Sequence, residues 1–257
     1  MSRDKKDNET NHELVFGKNS VLEVIENSTL QVNKIWLSET LRDHNVKERV
    51  ISYAKENKIP FYLVPEQKLS SLTKTQNHQG MVLSISPIKY LSVKEIIEKS
   101  KIILVVHEIE DAHNIGAMIR TFVAGGGSGV ILTGRRNIGV NSTTIKTSAG
   151  ALFQASFARA TNCVHVINEL KKNNFWTVGT DNSEASKPIY SIDFPDRFAI
   201  IVGNEHEGLG DLIKRNCDFL VKIPISDTVD SLNVSVAFGI VLFEILRQLS
   251  LRESTKC

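Results

Sequence analysis

Cysteine is scarce: three in 257 residues, Cys163, Cys217 and Cys257, with no CxxC spacing. That number builds neither a disulfide framework nor a zinc site, so reduced thiols are expected. Long apolar runs are lacking too. The longest, VAFGIVLF at 236–243, falls far short of the ~20 residues a membrane-spanning helix needs. The opening MSRDKKDNETNH mixes charges of both signs and has no apolar stretch. A secretory signal is thereby excluded, and a cytoplasmic protein is expected. A dominant charge is also missing: 31 Lys and Arg against 29 Asp and Glu leave +2, which does not announce a polyanionic partner.

What is missing locally is acid. No Asp or Glu occurs between Asp111 and Glu169, an interval that holds Arg120, Arg135, Arg136, Lys146 and Arg159. A local +5 on a neutral body suits a phosphate-facing patch, and equally a solvated face. What is present is ordinary for a soluble globular chain: 41% hydrophobic and 23% charged residues, with length for one large domain or two small ones.

Patterning divides the chain. Residues 1–12 are polar and without periodicity, and are expected to be disordered. From Leu14 to about Pro87, strands at 32–38, 61–64 and 80–85 alternate with helices at 17–27 and 46–57. The segment to Ser100 holds Pro87 and a lysine-rich helical pattern, and residues 88–100 are expected to link two domains. Beyond it, apolar strands at 102–106, 129–133, 176–180, 199–203 and 220–224 alternate with helices at 114–124, 165–174, 208–216 and 232–250. Near-continuous apolar strands separated by helices predict an α/β domain with a parallel sheet covered on both faces. GGGSG at 125–129 imitates a nucleotide-binding turn, but a helix enters it and a strand leaves it. The mechanism needs the reverse order, so a helix cap and loop are expected there.

Three segments at strand ends carry the chemistry. In EIEDAHNIGAMIRT (108–121), Asn114 suits a helix N-cap, and Ile115, Met118, Ile119 and Phe122 form one apolar stripe. Arg120 points away from that stripe over Gly116 and Ala117, a cleared floor that a substrate backbone could approach. In AIIVGNEHEGLG (199–210), glycines flank a polar cluster at the end of a buried strand, which suits close approach to a ligand. Glu205, His206 and Glu207 are adjacent and rarely could converge on one ion, so no metal is expected. In KIPISDTVDSLNVSVAFGI (222–240), Ser231 suits a helix cap, and Asn233 is an amide poorly placed for a helix interior. The helix that follows is more apolar than one amphipathic face requires, as in a buried helix or one shared with a second subunit.

Together NxGAxxR, GNExxG and IPI…SLNVSVA resemble the three motifs of the SpoU (TrmH) family of RNA ribose 2′-O-methyltransferases, over residues 100–250. The N-terminal unit, with GKNSV and HQG at 78–80, resembles the ribosomal-protein-like RNA-binding domain fused to many members. The combination is most similar to members that methylate a guanosine ribose of 23S rRNA. One departure is Ala112, where members often have Pro, a change expected to loosen the loop without removing a functional group.

The resemblance implies a C-terminal SPOUT domain (101–257) with a trefoil knot, S-adenosyl-L-methionine as cofactor, and a homodimer whose active site draws on both subunits. Matched residue by residue, it puts Arg120, Asn114, Glu205 and Asn233 at the reaction centre. Gly203, Asn204, Ile223, Ser231 and Leu232 fall at the cofactor, held largely through backbone groups. RNA is assigned to Arg135, Arg136, Lys18, His78 and Gln79, the last three in an RNA-binding domain at 13–87. Deprotonating a guanidinium at pH 7 costs more than about 7 kcal/mol. Arg120 is therefore read as a phosphate grip and alkoxide stabiliser rather than a base. The rival readings are a tRNA ribose methyltransferase, methylation of an rRNA adenosine, and a non-catalytic RNA-binding protein. The last has no use for the polar trio.

Overall fold

The computed structural model describes residues 13–27 and 30–255. The tail at 1–12 and Cys257 lie outside them. The chain forms two compact units, dividing between Ile88 and Lys89.

The first unit runs β1 (Glu13–Phe16), α1 (Lys18–Asn27), β2 (Val32–Ser38), α2 (His44–Glu56), β3 (Phe61–Val64), α3 (Glu66–Thr73) and β4 (Met81–Ile85). Its sheet has the order β1-β4-β2-β3, with only β2 and β3 parallel. Asp43 caps α2 by accepting from Val46 N at 3.2 Å. Strand β1 and helix α3 are additions to the sequence reading. Leu69 of α3 is fully buried and packs with Phe16 and Val82.

The second unit opens inside the segment expected to be a linker. Tyr90–Leu91 (β5) pairs with a later strand, and Val93–Lys99 (α4) buries Ile96 and Ile97 behind a Ser92–Glu95 capping box. Then come β6 (Ile102–His107), α5 (Ala112–Ala124), β7 (Gly129–Thr133), α6 (Ser142–Thr147), β8 (Ser156–Ala160), α7 (Cys163–Lys172) and β9 (Trp176–Thr180). The chain ends with β10 (Lys187–Pro188), β11 (Phe198–Val202), α8 (Asp211–Asn216), β12 (Phe219–Lys222) and α9 (Val234–Thr255). All eight strands are parallel, in the order β10-β12-β9-β11-β6-β7-β8-β5.

Alternate strand residues face opposite sides of such a sheet. Ile103, Val105, Ile131 and Ile201 pack with α4, α7 and α8. On the other side α5 and α9 pack on each other, and α9 also on β11. The expected apolar stripe of α5 is fully buried. Gly125 caps that helix and Gly126 turns at φ +81° into β7, so the glycine run is the cap and loop expected.

Helix α9 is long and apolar enough to cross a membrane by length and composition alone, where run length had predicted no such element. It nevertheless buries Phe238, Val241, Leu242 and Ile245 in the protein and carries the Glu244–Arg247 ion pair.

Candidate active site

The three strand-end segments meet along the C-terminal edge of the sheet. After β6, Glu108 takes a left-handed backbone conformation, φ 52°. Its carboxylate accepts from Arg135 N at 3.3 Å and from Arg136 Nη2 at 2.9 Å. Its carbonyl accepts from Asn204 Nδ2 at 2.8 Å, tying this loop to the one after β11. Asp111, not Asn114, caps α5, accepting from His113 N at 2.8 Å. Ala112 is therefore the first helical residue, the position where Pro is favoured because the helix needs no N–H there. Alanine fits that place too, and the Asp111 cap holds the loop that the departure was expected to loosen.

After β11, Gly203 permits a tight closure: a Cβ there would lie against the carbonyl group of Gly208. Gly208 N donates to Asn204 O at 2.9 Å. Asn204 Oδ1 accepts from His206 N at 2.9 Å and Glu207 N at 3.3 Å. The Asn204 amide is thus spent on the loop itself. After β12, Asn233 is the cap of α9, a role expected for Ser231: its Oδ1 accepts from Ser235 N at 2.9 Å and Val236 N at 3.4 Å.

That cap sets the polarity of a relay. With Oδ1 occupied, Asn233 donates through Nδ2 to Asn114 Oδ1 at 3.0 Å. Asn114 must then donate through Nδ2, which it does to Glu205 Oε1 at 3.0 Å. Because Asp111 takes the capping duty, the Asn114 side chain is free for this bridge. Three of the four expected reaction-centre residues are joined.

Arg120 is not part of the relay. It sits six residues beyond Asn114, about 9 Å along the helix axis, exposed and without a hydrogen bond or ion pair among the described residues. The floor expected beneath it is filled at Gly116. A Cβ there would collide with Thr147 Oγ1 and lie 2.8 Å from Thr144 O, so the glycine admits α6 rather than substrate.

A cavity of about 700 Å³ opens beside the relay. All five residues expected at the cofactor line it: Gly203, Asn204, Ile223, Ser231 and Leu232, along with Glu205 and Asn233. The sequence reading missed Asp181 and Lys214 on the same wall. Asp181 is 7% exposed and pairs with Lys214 Nζ at 2.7 Å. Burial opposes its ionisation, but the Lys214, Ser183 and Ser186 hydrogen bonds outweigh that and hold its carboxyl below the usual range. The available signal was a polar triplet, Asp181-Asn182-Ser183, directly after an apolar strand.

The residues assigned to RNA divide. Arg136 is consumed by Glu108 and by Glu207 at 3.2 Å, which raise its pKa, and lies 3.8 Å from Glu110, so it is a clamp between loops. Arg135 carries no such pair among the described residues. His78 is buried, its Nδ1 accepting from Gly80 N at 3.1 Å and its Nε2 meeting Ser70 Oγ at 3.0 Å, so it shapes a turn. Gln79 Oε1 accepts from Lys18 N at 2.6 Å, and Lys18 Nζ pairs with Asp43 at 2.7 Å. Within the acid-free interval, the Arg159 guanidinium lies over the Tyr90 ring at 4.8 Å. No group of three or more His, Cys, Asp or Glu among the described residues is placed to hold a metal ion.

A parallel α/β unit with a cavity of this size and a polar relay at its C-terminal strand ends defines a ligand-binding enzyme centre. Residues 101–243 match the SpoU rRNA Methylase family, and residues 14–91 match the RNA 2′-O ribose methyltransferase substrate-binding family. The chain is 34% identical over 243 residues to YacO of Bacillus subtilis, named as a TrmH family tRNA/rRNA methyltransferase, covering 92% of this chain and 96% of that one. A relative of the same name in Staphylococcus haemolyticus is 34% identical, covering 91% and 95%. Among solved structures, the AdoMet-bound rRNA methyltransferase of Sinorhizobium meliloti superposes with a TM-score of 0.80 at 25% identity, covering 94% and 89%. AviRb of Streptomyces viridochromogenes shares the fold, with a TM-score of 0.78 at 20% identity, covering 93% and 90%. The chain belongs to the SpoU rRNA methylase family. It is an RNA methyltransferase by descent, and its first unit is the family's substrate-binding domain.

Proposed function

We propose that this protein transfers a methyl group from S-adenosylmethionine to a ribose 2′-hydroxyl of RNA, with a guanosine of large-subunit rRNA as substrate. The observation that carries this reading is the Asn233–Asn114–Glu205 relay, two of whose members line the cavity. The cavity fits the cofactor: about 700 Å³, with apolar Val221, Ile223, Leu232 and Val241 beside the polar Asp181 and Lys214. Backbone groups at Gly203, Ile223 and Leu232 would hold it, and when bound it supplies a methyl group activated on a sulfonium.

The chain's own residues then align and deprotonate one hydroxyl. Asn114 holds Glu205 Oε1, leaving Oε2 to accept a hydrogen bond from the 2′-hydroxyl. A carboxylate suffices for the proton, because a hydroxyl oxygen that is gaining a carbon becomes strongly acidic. Arg120, without a partner among the described residues, grips the neighbouring phosphate. The same reading includes the knotted C-terminal chain, a cytoplasmic location and a homodimer. Val236 and Phe243, one heptad apart on α9 and 51% and 50% exposed, supply an apolar face for a second copy.

Incubation with methyl-labelled cofactor and unmethylated 23S rRNA or tRNA tests this. Label in an alkali-resistant 2′-O-methylguanosine of the rRNA is expected. Label confined to tRNA, or to a base, would overturn the substrate assignment.

A further inference from the structure

We infer that a second cavity on the same sheet edge is a nucleotide-binding subsite for the RNA substrate, in which Arg135 grips a phosphate. The inference rests on the RNA-methylating reading above. The cavity measures about 530 Å³ and is lined by His107, Arg135, Asn162, Val164, Asp211 and Leu212, among others. These follow from adjacent strands: His107 ends β6, Arg135 follows β7 and Asn162 follows β8.

The larger cavity lies over β9, β11 and β12, and the segment after β11 runs from one cavity to the other. Residues 203–208 line the larger, and 210–213 the second. The Glu108–Arg136–Glu207 ion cluster ties that segment to the loops after β6 and β7. The relay residues Asn114, in the first turn of the helix after β6, and Glu205, in the loop after β11, stand between the two cavities in strand order. A nucleotide at the relay therefore has the larger cavity on one side and this one on the other, where its neighbour in the chain would lie.

The chemistry is that of a nucleotide rather than a bare anion. Arg135 and Arg136 are consecutive, yet among the described residues three carboxylates meet Arg136 and none meets Arg135. An unspent guanidinium beside a cavity suits a phosphodiester. The first turn of the ten-residue α7, at Cys163 and Val164, lines the same cavity and adds its positive end. An acceptor is present as well. Asp211 lines the same cavity, and a carboxylate repels an isolated phosphate but suits the N–H edge of a base, whose ring Val164 and Leu212 can flank. The His107 ring, its Nδ1 3.1 Å from Thr133 Oγ1, is favoured in its neutral form by burial and adds a hydrogen-bonding edge.

The test is RNA binding by the full-length protein without cofactor, read by filter retention of unmethylated 23S rRNA across a salt series. Arg135 is exposed on a loop, so Arg135→Ala should fold normally. We expect its Kd to rise about three- to tenfold and the slope of log K against log salt to become shallower by about one. Arg135→Lys should keep the wild-type slope. Asp211→Ala should weaken binding. Unchanged Kd and slope in Arg135→Ala would overturn the subsite, and unchanged or tighter binding in Asp211→Ala would overturn the base contact. Turnover plays no part in this readout. Absence of methyl transfer by the wild type would indict the function, while the Kd values still decide the subsite.

Discussion

Asn233 donates through Nδ2 to Asn114 Oδ1 at 3.0 Å, across 119 residues of sequence. The direction of that bond is set by helix α9, whose first N–H groups occupy Asn233 Oδ1. One capping interaction thus orients two amides and, through them, the Glu205 carboxylate. A group held this way costs no reorganisation when the reaction starts, which is where electrostatic catalysis gains most.

Arg120→Ala should lower turnover by roughly 10²–10³, the scale of losing one oxyanion donor. Cofactor affinity and the thermal midpoint should stay near wild type, because Arg120 is exposed and bonded to nothing described. Arg120→Lys should retain part of the activity with a flat profile near neutral pH. Turnover in the Lys variant climbing about tenfold per pH unit would instead mark residue 120 as a base.

Gly116→Ala should destabilise the second unit by about 1–3 kcal/mol, since the new methyl strikes Thr147 Oγ1 and the backbone at Thr144. Adding Thr147→Ala should recover part of the loss, the remainder belonging to the Thr144 carbonyl at 2.8 Å. Urea midpoints of the single and double variants give the comparison. An unaltered midpoint in Gly116→Ala would restore the idea of open space beneath Arg120.

His107 should make stability depend on mild acid. Burial lowers its pKa in the folded protein, so the unfolded chain binds a proton at a higher pH than the folded one does. Above about pH 6.5 both states are neutral and the residue contributes nothing; below it stability falls until the lowered folded pKa is reached. The drop in urea midpoint between about pH 7.5 and 5.5 should be smaller in His107→Gln than in wild type. Equal drops would show that the ring titrates alike in both states.

The thiols of Cys163 and Cys217 should resist iodoacetamide in the folded protein at neutral pH. Burial pushes them up to about 11 and about 12, so little thiolate exists to react. Mass spectrometry should find both modified only after denaturation, and rapid native labelling of either would contradict the packing around α7 and β9.

The parallel sheet was legible because β6, β7 and β11 are unbroken apolar runs, a pattern only a doubly covered sheet explains. Strand β8, SFARA, was not, since two of its five residues carry its burial. Its place comes from pairing with β7, which no local pattern reveals. The relay was legible as a set of motifs, but its capping was misread. Asp111 and Asn114 have equal capping propensity, and what separates them is Asn233, far away in sequence. Arg136 looked like a free cation because its carboxylates, Glu108, Glu110 and Glu207, all lie outside the acid-free interval. His78 was assigned to RNA through the resemblance, and only the fold of the turn shows it buried.

Asn233→Asp tests the central claim, that the relay rather than the fold around it carries the reaction. Aspartate caps a helix as well as asparagine does and adds a favourable charge at the α9 N-terminus. It cannot donate to Asn114. Thermal midpoint and methyl-transfer turnover should therefore be measured on the same preparation. The account predicts a midpoint within about 2 °C of wild type and turnover reduced by roughly 10²-fold. Wild-type turnover in that variant, with the fold intact, would contradict it.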